Sequence, residues 1–529
     1  MRAIYLLLCI TLLRGTAGSI FRRPYLQDLD GLIVTPLDYY DQVPAKHPNI
    51  NYHRDSSSEE TKERDDKSRD VPASYRSGID WNAPLLSAVI NQGDQMPYGD
   101  VIAWQGVQIA AGPKSPVTNK KDIERIFIDA YQTMQHVTEE DKTKYHEAFN
   151  KLTRKEDVNS NATELIRRHN YKVEEHIVKT DDGYILTLFR IQPREVTLDI
   201  KDRPAVFLMH GLLGSADDWL LMGPEKSLAY LLADAGYDVW LGNIRGSRYS
   251  RHHVSKHVSH PDFWRFSIDE IALHDLPTMI DYVLKYSKQE KLFYVGHSQG
   301  TTAFFALTSS RPEYREKIAM MFAMAPMVYM NHVRSPLMRM ISPSSRFYEN
   351  LHTELGHGEF KPTKEVVHTI GGNMCKKEIQ CEFICSNVNF VVAGFDTSDM
   401  EYDLVPVIVR HLPAGASTRQ IKQYGQAVDS EGLRKYDYGS DINTMIYGQH
   451  QPPRYNMTEV KVPVALYYSE EDWLAHPKDV ERLHAELPDV RDLFKVPTEH
   501  FSHMDFQFSK HAPQVVYKRL IESIKNHSY

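Results

Sequence analysis

From Tyr171 onward, short β-rich apolar runs alternate with stretches of helical spacing, and this alternation limits the fold more than any other feature of the chain. Such an order is typical of a mostly parallel sheet with helices on both faces, so we predict the α/β class. Residues 171–178 and 184–191 flank a Thr-Asp-Asp-Gly turn, which favours an antiparallel hairpin. Six later runs predict buried strands of the same sheet: 205–209, 238–241, 292–295, 318–323, 464–468 and 492–496.

The alternation is absent from the first third of the chain and lapses again near its middle. Residues 51–70 hold almost nothing to bury and are expected to be disordered, whereas residues 122–152 show the apolar spacing of amphipathic helices. We divide the chain into a leader at 1–18, a charged extension at 19–158, core segments at 159–326 and 456–529, and an excursion above the sheet at 327–455.

The N-terminus has the order of a secretory signal peptide: Met1 and Arg2, an apolar run at residues 3–13, and small residues at 15–19. We expect cleavage after Gly18 and a secreted protein. No later stretch has the roughly 20 apolar residues of a membrane span, so no transmembrane segment is expected. The net charge of −8 gives no basic surplus for phosphate backbones, which argues against nucleic acid as a partner.

The run Gly-His-Ser-Gln-Gly at residues 296–300 fits the pattern G-x-S-x-G. In this pattern a sharp turn between a strand and a helix lifts the serine hydroxyl above the sheet, and the glycines leave room for the backbone. The required context is present, because an apolar strand at 292–295 precedes the run and a small-residue helix at 301–308 follows it. We therefore predict an α/β-hydrolase fold with Ser298 as the nucleophile.

A serine hydroxyl needs a base to take its proton, and the base needs an acid to fix its tautomer. In this fold the three residues follow in the order Ser, Asp, His. Asp472 comes after the strand at 464–468 and His503 after the strand at 492–496, where loops can direct both side chains inwards. Spacing alone leaves alternatives open: Glu470 or Glu471 as the acid, and His500 as the base.

The negative charge that forms on attack needs preset N–H donors, one from the residue after the serine and one from an earlier loop. Gln299 follows the nucleophile, and a His-Gly-Leu loop at 210–212 follows the strand at 205–209. The backbone N–H groups of Leu212 and Gln299 are therefore the predicted oxyanion hole, and His210 is interpreted as a structural loop residue.

Export of the chain changes the interpretation of its cysteines and sequons. Cleavage of the leader leaves Cys375, Cys381 and Cys385, which predict one disulfide and one free thiol. Candidate sites of N-glycosylation are Asn161, Asn456 and Asn526.

A second histidine group, His252, His253, His257 and His260, suggests a metal site at first sight. His253 and His257 have the spacing of H-E-x-x-H, but the glutamate is missing and the neighbouring residues indicate a solvated loop. We expect neither a metal nor a cofactor.

Together these motifs resemble the acid lipase family, the group that contains the gastric and lysosomal acid lipases. The resemblance covers about Thr163 to the C-terminus. It is carried by these runs: 210–213 (His-Gly-Leu-Leu), 233–243, 295–302, 325–326, 413–415, 451–453, 472–475 (Asp-Trp-Leu-Ala) and 502–506 (Ser-His-Met-Asp-Phe).

The resemblance implies a serine lipase or esterase that hydrolyses carboxylic esters of lipids, such as triacylglycerol or cholesteryl ester, at a lipid–water interface. It places the acid on Asp472 and the base on His503, and it implies a cap with a mobile lid at 327–455. It further implies a disulfide between Cys375 and Cys385 and either secretion or lysosomal delivery.

This sequence departs from the usual family pattern near the predicted acid. Glu470 and Glu471 stand where the family usually has Gly and Asn, His476 replaces a common Asp, and the disulfide loop is longer by one residue. The alternative function is a non-catalytic lipid-binding or storage protein on the same scaffold. Since such derivatives usually lose the nucleophile or the base, the presence of Ser298, Asp472 and His503 favours an enzyme.

Overall fold

The computed structural model describes residues 155–194, 203–345, 357–360 and 401–527, together with residues 140, 143, 144, 147, 148, 393 and 399. The predicted leader at 1–18, the charged stretch at 51–70 and the predicted disulfide between Cys375 and Cys385 lie outside these residues. All described residues belong to one compact unit.

The centre of this unit is a nine-stranded sheet of spatial order β1-β2-β4-β3-β6-β7-β8-β9, with β5 paired to β2. Its strands are β1 Lys172–Lys179, β2 Tyr184–Gln192, β3 Ala205–Met209, β4 Asp238–Gly242, β5 His252–His253, β6 Leu292–His297, β7 Ile318–Met324, β8 Val464–Tyr468 and β9 Val490–Lys495. The pairs from β4 to β9 are parallel, and the β1–β2 hairpin is antiparallel. The prediction of a mostly parallel sheet with helices on both faces is confirmed.

The central strands are buried along their whole length, because helices cover both faces of the parallel sheet. Strand β9 differs from its prediction as a buried strand. Its residues alternate between half-buried and exposed, because successive side chains point to opposite faces and one face is open to solvent, and Leu493 is 37% exposed. The residues 252–253 also differ, because they form a short strand instead of a solvated loop.

Helices connect the strands and pack on both faces. Their bounds are α1 Lys155–Val158, α2 Ala162–Arg168, α3 Leu228–Asp234, α4 Ile268–Glu270, α5 Leu276–Ser287, α6 Gln299–Ser310, α7 Pro336–Met340, α8 Val405–His411, α9 Thr418–Val428, α10 Ser440–Tyr447, α11 Pro477–Glu486, α12 Asp505–Phe508 and α13 Lys518–Asn526. Two π-helical turns, Ile271–Asp275 and Pro513–Tyr517, lead into α5 and α13, and short 3₁₀ turns include Ala216–Trp219. Within the described ranges, no helix is long and apolar enough to cross a membrane.

The interval between β7 and β8 contains α7 to α10, and its described residues add no strand to the sheet. Helix α8 contacts the short helix α1, which lies before the predicted core boundary at residue 159. The ring nitrogen Nε2 of His411 is 2.9 Å from the carbonyl oxygen of Asp157. The end of the N-terminal extension is therefore attached to the interval that we predict to be the cap.

Candidate active site

Ser298 lies at the sharp turn between β6 and α6. Its backbone has φ 54° and ψ −118°, a strained conformation for a residue with a side chain, and its N–H donates to the carbonyl oxygen of Met324 at 3.1 Å. Helix α6 starts close to β3: a Cβ atom on Gly300 would be 2.4 Å from the carbonyl oxygen of Met209. Because no side chain fits there, glycine at position 300 allows the strand, turn and helix to meet at this angle.

The structure brings His503 and Asp472 together at the carboxyl end of the sheet. Nδ1 of His503 lies 2.8 Å from Oδ2 and 3.0 Å from Oδ1 of Asp472. The backbone N–H groups of Leu474 and Ala475 also donate to Oδ1, each at 2.8 Å. Burial disfavours ionisation of Asp472, but the His503 ring and these donors outweigh it and hold the pKa of the carboxyl below its ordinary value.

The other ring nitrogen of His503, Nε2, is buried without a hydrogen-bond partner among the described residues. Since Nδ1 carries the proton that is shared with Asp472, Nε2 has a free lone pair. Ser298 lines the same pocket as His503, and its hydroxyl donates to the sulfur of Met327 at 3.0 Å. Sulfur is a weak acceptor, so this contact of the hydroxyl costs little to break.

The alternative acids and base lie elsewhere. Glu470 is exposed and forms an ion pair with Lys495, and Glu471 lies 3.4 Å from Arg334. His500 is exposed on the loop before His503. Of the candidates for the acid, Asp472 is the residue that contacts His503.

The loop after β3 lies directly against the nucleophile. A Cβ atom on Gly211 would be 3.0 Å from Cβ and 3.5 Å from Oγ of Ser298. Leu213 has φ 64°, and its carbonyl oxygen accepts from the N–H of Ala414 at 2.6 Å. Gln299 is the first residue of α6, where N–H groups have no carbonyl partner within the helix. The loop with Leu212 and the start of α6 are thus placed on either side of Ser298.

His210 orients this loop and does not take part in the Asp472–His503 pair. Its Nε2 accepts from the N–H of Ile244 at 3.3 Å, which leaves Nδ1 to donate to the carbonyl oxygen of Gly211 at 2.8 Å. Complete burial lowers the pKa of His210 to about 4, so the ring is neutral and keeps this hydrogen-bond pattern above that pH.

The pocket at Ser298 is mainly apolar. Its described lining consists of Gly211, Leu212, Leu213, Asp218, His297, Ser298, Met327, Met338, Ala393, Leu412, Leu474, His503, Met504 and Gln507. Sequence reasoning missed the buried carboxyl of Asp218 in this lining. Two consecutive aspartates in an otherwise apolar loop were the available signal.

The histidines at 252–260 bind their own neighbours. Nε2 of His253 is 2.9 Å from the carbonyl oxygen of Asp182, and Nδ1 of His257 is 2.7 Å from the hydroxyl of Ser259. In the part of the chain that the structure describes, Asp181, Asp182 and His274 come close enough to share a cation. Arg245 already pairs with Asp182 at 2.6 Å and supplies that positive charge.

The three sequon asparagines lie on or near the surface. Asn456 and Asn526 are exposed, and Asn161 is half-buried as the N-cap of α2.

Comparisons with known proteins identify the family of the chain. Residues 162–223 match a family described as a partial α/β-hydrolase lipase region, and residues 204–345 match the α/β-hydrolase fold. Lipase 3 of Drosophila melanogaster is 40% identical over 368 residues, which cover 70% of this chain and 93% of that protein. Gastric triacylglycerol lipase of Mus musculus is 38% identical over 71% of this chain and 94% of its own length. The chain belongs to the acid lipase family.

The similarity extends to further members of the acid lipase family. Lipase member K of Homo sapiens is 39% identical over 69% of this chain and 90% of its own length. The protein is therefore a lipase, a carboxylic ester hydrolase with the fold that the sequence predicted.

Proposed function

We propose that this acid lipase hydrolyses lipid esters, triacylglycerol or cholesteryl ester, through an acyl-enzyme on Ser298. The observation that carries the proposal is the buried His503–Asp472 pair, in which Nε2 of His503 is unpartnered among the described residues and His503 lines the same pocket as Ser298. A base held in one tautomer beside a strained serine is the arrangement that nucleophilic acyl transfer requires.

In the proposed first step, Oγ of Ser298 attacks the ester carbonyl carbon while Nε2 of His503 takes the hydroxyl proton. Asp472 stabilises the imidazolium that results. The carbonyl oxygen becomes an oxyanion, which accepts from the backbone N–H groups of Leu212 and Gln299. His503 then gives its proton to the alcohol oxygen as the C–O bond breaks, and the alcohol leaves.

In the second step, His503 takes a proton from water, and the hydroxide attacks the acyl carbon. Collapse of this intermediate returns the proton to Ser298 and releases the fatty acid. The free enzyme is regenerated without any cofactor.

The pocket supports a lipid substrate because apolar side chains surround the nucleophile. Leu212, Leu213, Met327, Met338 and Leu412 are all in its lining, and an acyl chain among them would lose its contact with water.

We further propose that the interval 327–455 acts as a cap and that Cys375 and Cys385 form a disulfide. We also propose that the protein is secreted or lysosomal, with glycans at Asn161, Asn456 and Asn526.

The test is labelling of the purified protein by a fluorophosphonate probe, together with hydrolysis of a panel of triacylglycerols, cholesteryl esters and short soluble esters. We expect the wild type to be labelled and active and the Ser298→Ala variant to be neither. Absence of labelling in the folded wild type would favour the non-catalytic lipid-binding alternative. Glycosidase treatment should remove less mass from an Asn→Gln variant than from the wild type wherever the mutated sequon is occupied.

A further inference from the structure

Asp218 is a buried carboxyl in the pocket of Ser298 and His503 that the proposed mechanism does not use. It lies in the 3₁₀ turn Ala216–Trp219, directly after the loop that carries Leu212. The side chain is 4% exposed, and Oδ1 has no hydrogen-bond partner among the residues that the structure describes. Oδ2 lies against Gly214, where a Cβ atom would be 2.1 Å away. The carboxyl therefore packs directly on the loop of the predicted oxyanion hole.

The adjacent Asp217 has partners of the opposite kind. It accepts from the hydroxyl of Tyr249 at 2.7 Å, lies 2.8 Å from Nδ1 of His411, and pairs with Arg248 at 3.4 Å. These cationic and donor groups stabilise Asp217 as a carboxylate. The negative charge of Asp217 therefore lies beside Asp218.

Burial, and after it the charge of Asp217, raise the pKa of Asp218 well above its ordinary value, although backbone N–H groups of Ser215 and of Asp218 itself oppose the shift. The other titratable groups of the pocket are His297 and His503. Burial lowers the pKa of His297 to about 3, so this ring stays neutral at higher pH. Asp218 is consequently the pocket carboxyl that changes charge as the solution becomes less acidic.

We propose that Asp218 is a positioning residue that must be neutral for rapid acylation, so that its ionisation sets the alkaline limit of activity. The inference rests on the proposed reaction at Ser298. Neutral Asp218 packs against Gly214 and leaves the loop N–H groups to the oxyanion. Ionised Asp218 would compete for these donors and would repel the oxyanion that forms across the loop.

The negative charge of ionised Asp218 acts on the transition state, where the oxyanion exists, and much less on the uncharged ester. The alkaline fall in activity should therefore appear in kcat, whereas KM should change little. A carboxylate several ångströms from an oxyanion in a site of low effective dielectric should slow acylation on the order of tenfold or more.

The experiment measures kcat and KM of the full-length protein on p-nitrophenyl butyrate across the pH range in which circular dichroism shows it folded. Asp218→Asn keeps the shape of the neutral acid and cannot ionise. The kcat of Asp218→Asn at its own optimum is the reference for its values at higher pH. At one pH unit above the midpoint of the wild-type fall, the variant should keep most of that kcat, whereas the wild type should keep only about a tenth to a fifth of its own.

Asp269→Asn is the matched control. Burial also raises the pKa of Asp269, to about 6, but its carboxyl accepts from Gln423, Tyr436 and Tyr455, and it is not in the pocket lining. The alkaline fall should stay in place in this variant. An alkaline fall in kcat that stays in place in Asp218→Asn would overturn the inference, whether or not the fall moves in Asp269→Asn.

A second measurement covers the case in which Asp218→Asn does not fold. In the infrared spectrum of the wild type, the carbonyl band of a neutral carboxylic acid should disappear over the same pH interval in which kcat falls. A neutral-acid band that persists through the fall, or a wild-type kcat with no alkaline fall, contradicts the inference. Fluorophosphonate labelling of Ser298 distinguishes these results from failure of the proposed function. A wild type that is labelled and cleaves esters supports the proposed function even when the inference about Asp218 fails.

Discussion

Nδ1 of His503 lies 2.8 Å from Oδ2 of Asp472, and both side chains are almost completely buried. The other nitrogen of the ring has no partner in the described residues, and His503 lines the same pocket as Ser298. A buried carboxylate on one side of an imidazole fixes which nitrogen carries the proton. The fold thus brings this candidate base, late in the chain, into the same pocket as a serine that is 205 positions earlier.

Asp472→Asn should reduce kcat on a soluble ester by a factor on the order of 10⁴, because the amide can donate to Nδ1 and so favour the wrong tautomer of His503. Steady-state kinetics and the near-ultraviolet circular dichroism spectrum check this expectation. Glu470→Gln is the matched control, since Glu470 is exposed and pairs with Lys495, and it should keep nearly wild-type activity. The reverse ranking would assign the acid to Glu470.

His503→Ala should reduce kcat on the order of 10³-fold or more, because the members of a triad act as a unit. His500→Ala should cost far less, since His500 is exposed on the preceding loop. The comparison needs only initial rates of the two variants at saturating substrate. An inactive His500→Ala protein beside an active His503→Ala protein would show that the base has been misassigned.

Ser298→Ala should abolish ester hydrolysis and leave the fold intact. The change removes one oxygen whose contact in this structure is the weak acceptor sulfur of Met327. Turnover and thermal unfolding should be measured together. Ser310→Ala, at the exposed end of the same helix, serves as the control and should be fully active. Turnover that persists in Ser298→Ala would refute the nucleophile.

Gly300→Ala should lower both stability and kcat. Its Cβ atom would meet the carbonyl oxygen of Met209 at 2.4 Å, so α6 must move away from β3 and from the loop beside Ser298. We expect a loss of about 1–3 kcal/mol in the free energy of unfolding, measured by urea titration. A displacement near 1 Å at the nucleophile can reduce kcat about a hundredfold.

Gly236→Ala separates the two effects of the preceding variant. Gly236 has φ 91° with open space around its Cα atom, so alanine there adds backbone strain and no clash. This variant should lose stability and keep its kcat. If Gly300→Ala behaved in the same way, the contact with Met209 would not position the active site.

Much of the sheet could be predicted because buried parallel strands leave a direct mark on the sequence. The strands β3 and β8 have the predicted bounds, and the hairpin of β1 and β2 has the predicted pairing. Strand β9 was predicted as buried because its apolar residues resemble those of a central strand. Only the assembled sheet places it at an edge, where no strand of the described residues pairs with its other side.

The sequence by itself determined the candidate nucleophile, since a strand, a G-x-S-x-G turn and a small-residue helix are contiguous in the chain and follow from local geometry. The tertiary structure decided that His503 contacts Asp472. It also decided that Asp218 is buried against the loop of the predicted oxyanion hole. Both features depend on where separate loops meet in space and on how much water remains between them. Distance through space and exclusion of solvent are properties of the packed chain, and residue spacing along the sequence does not encode them directly.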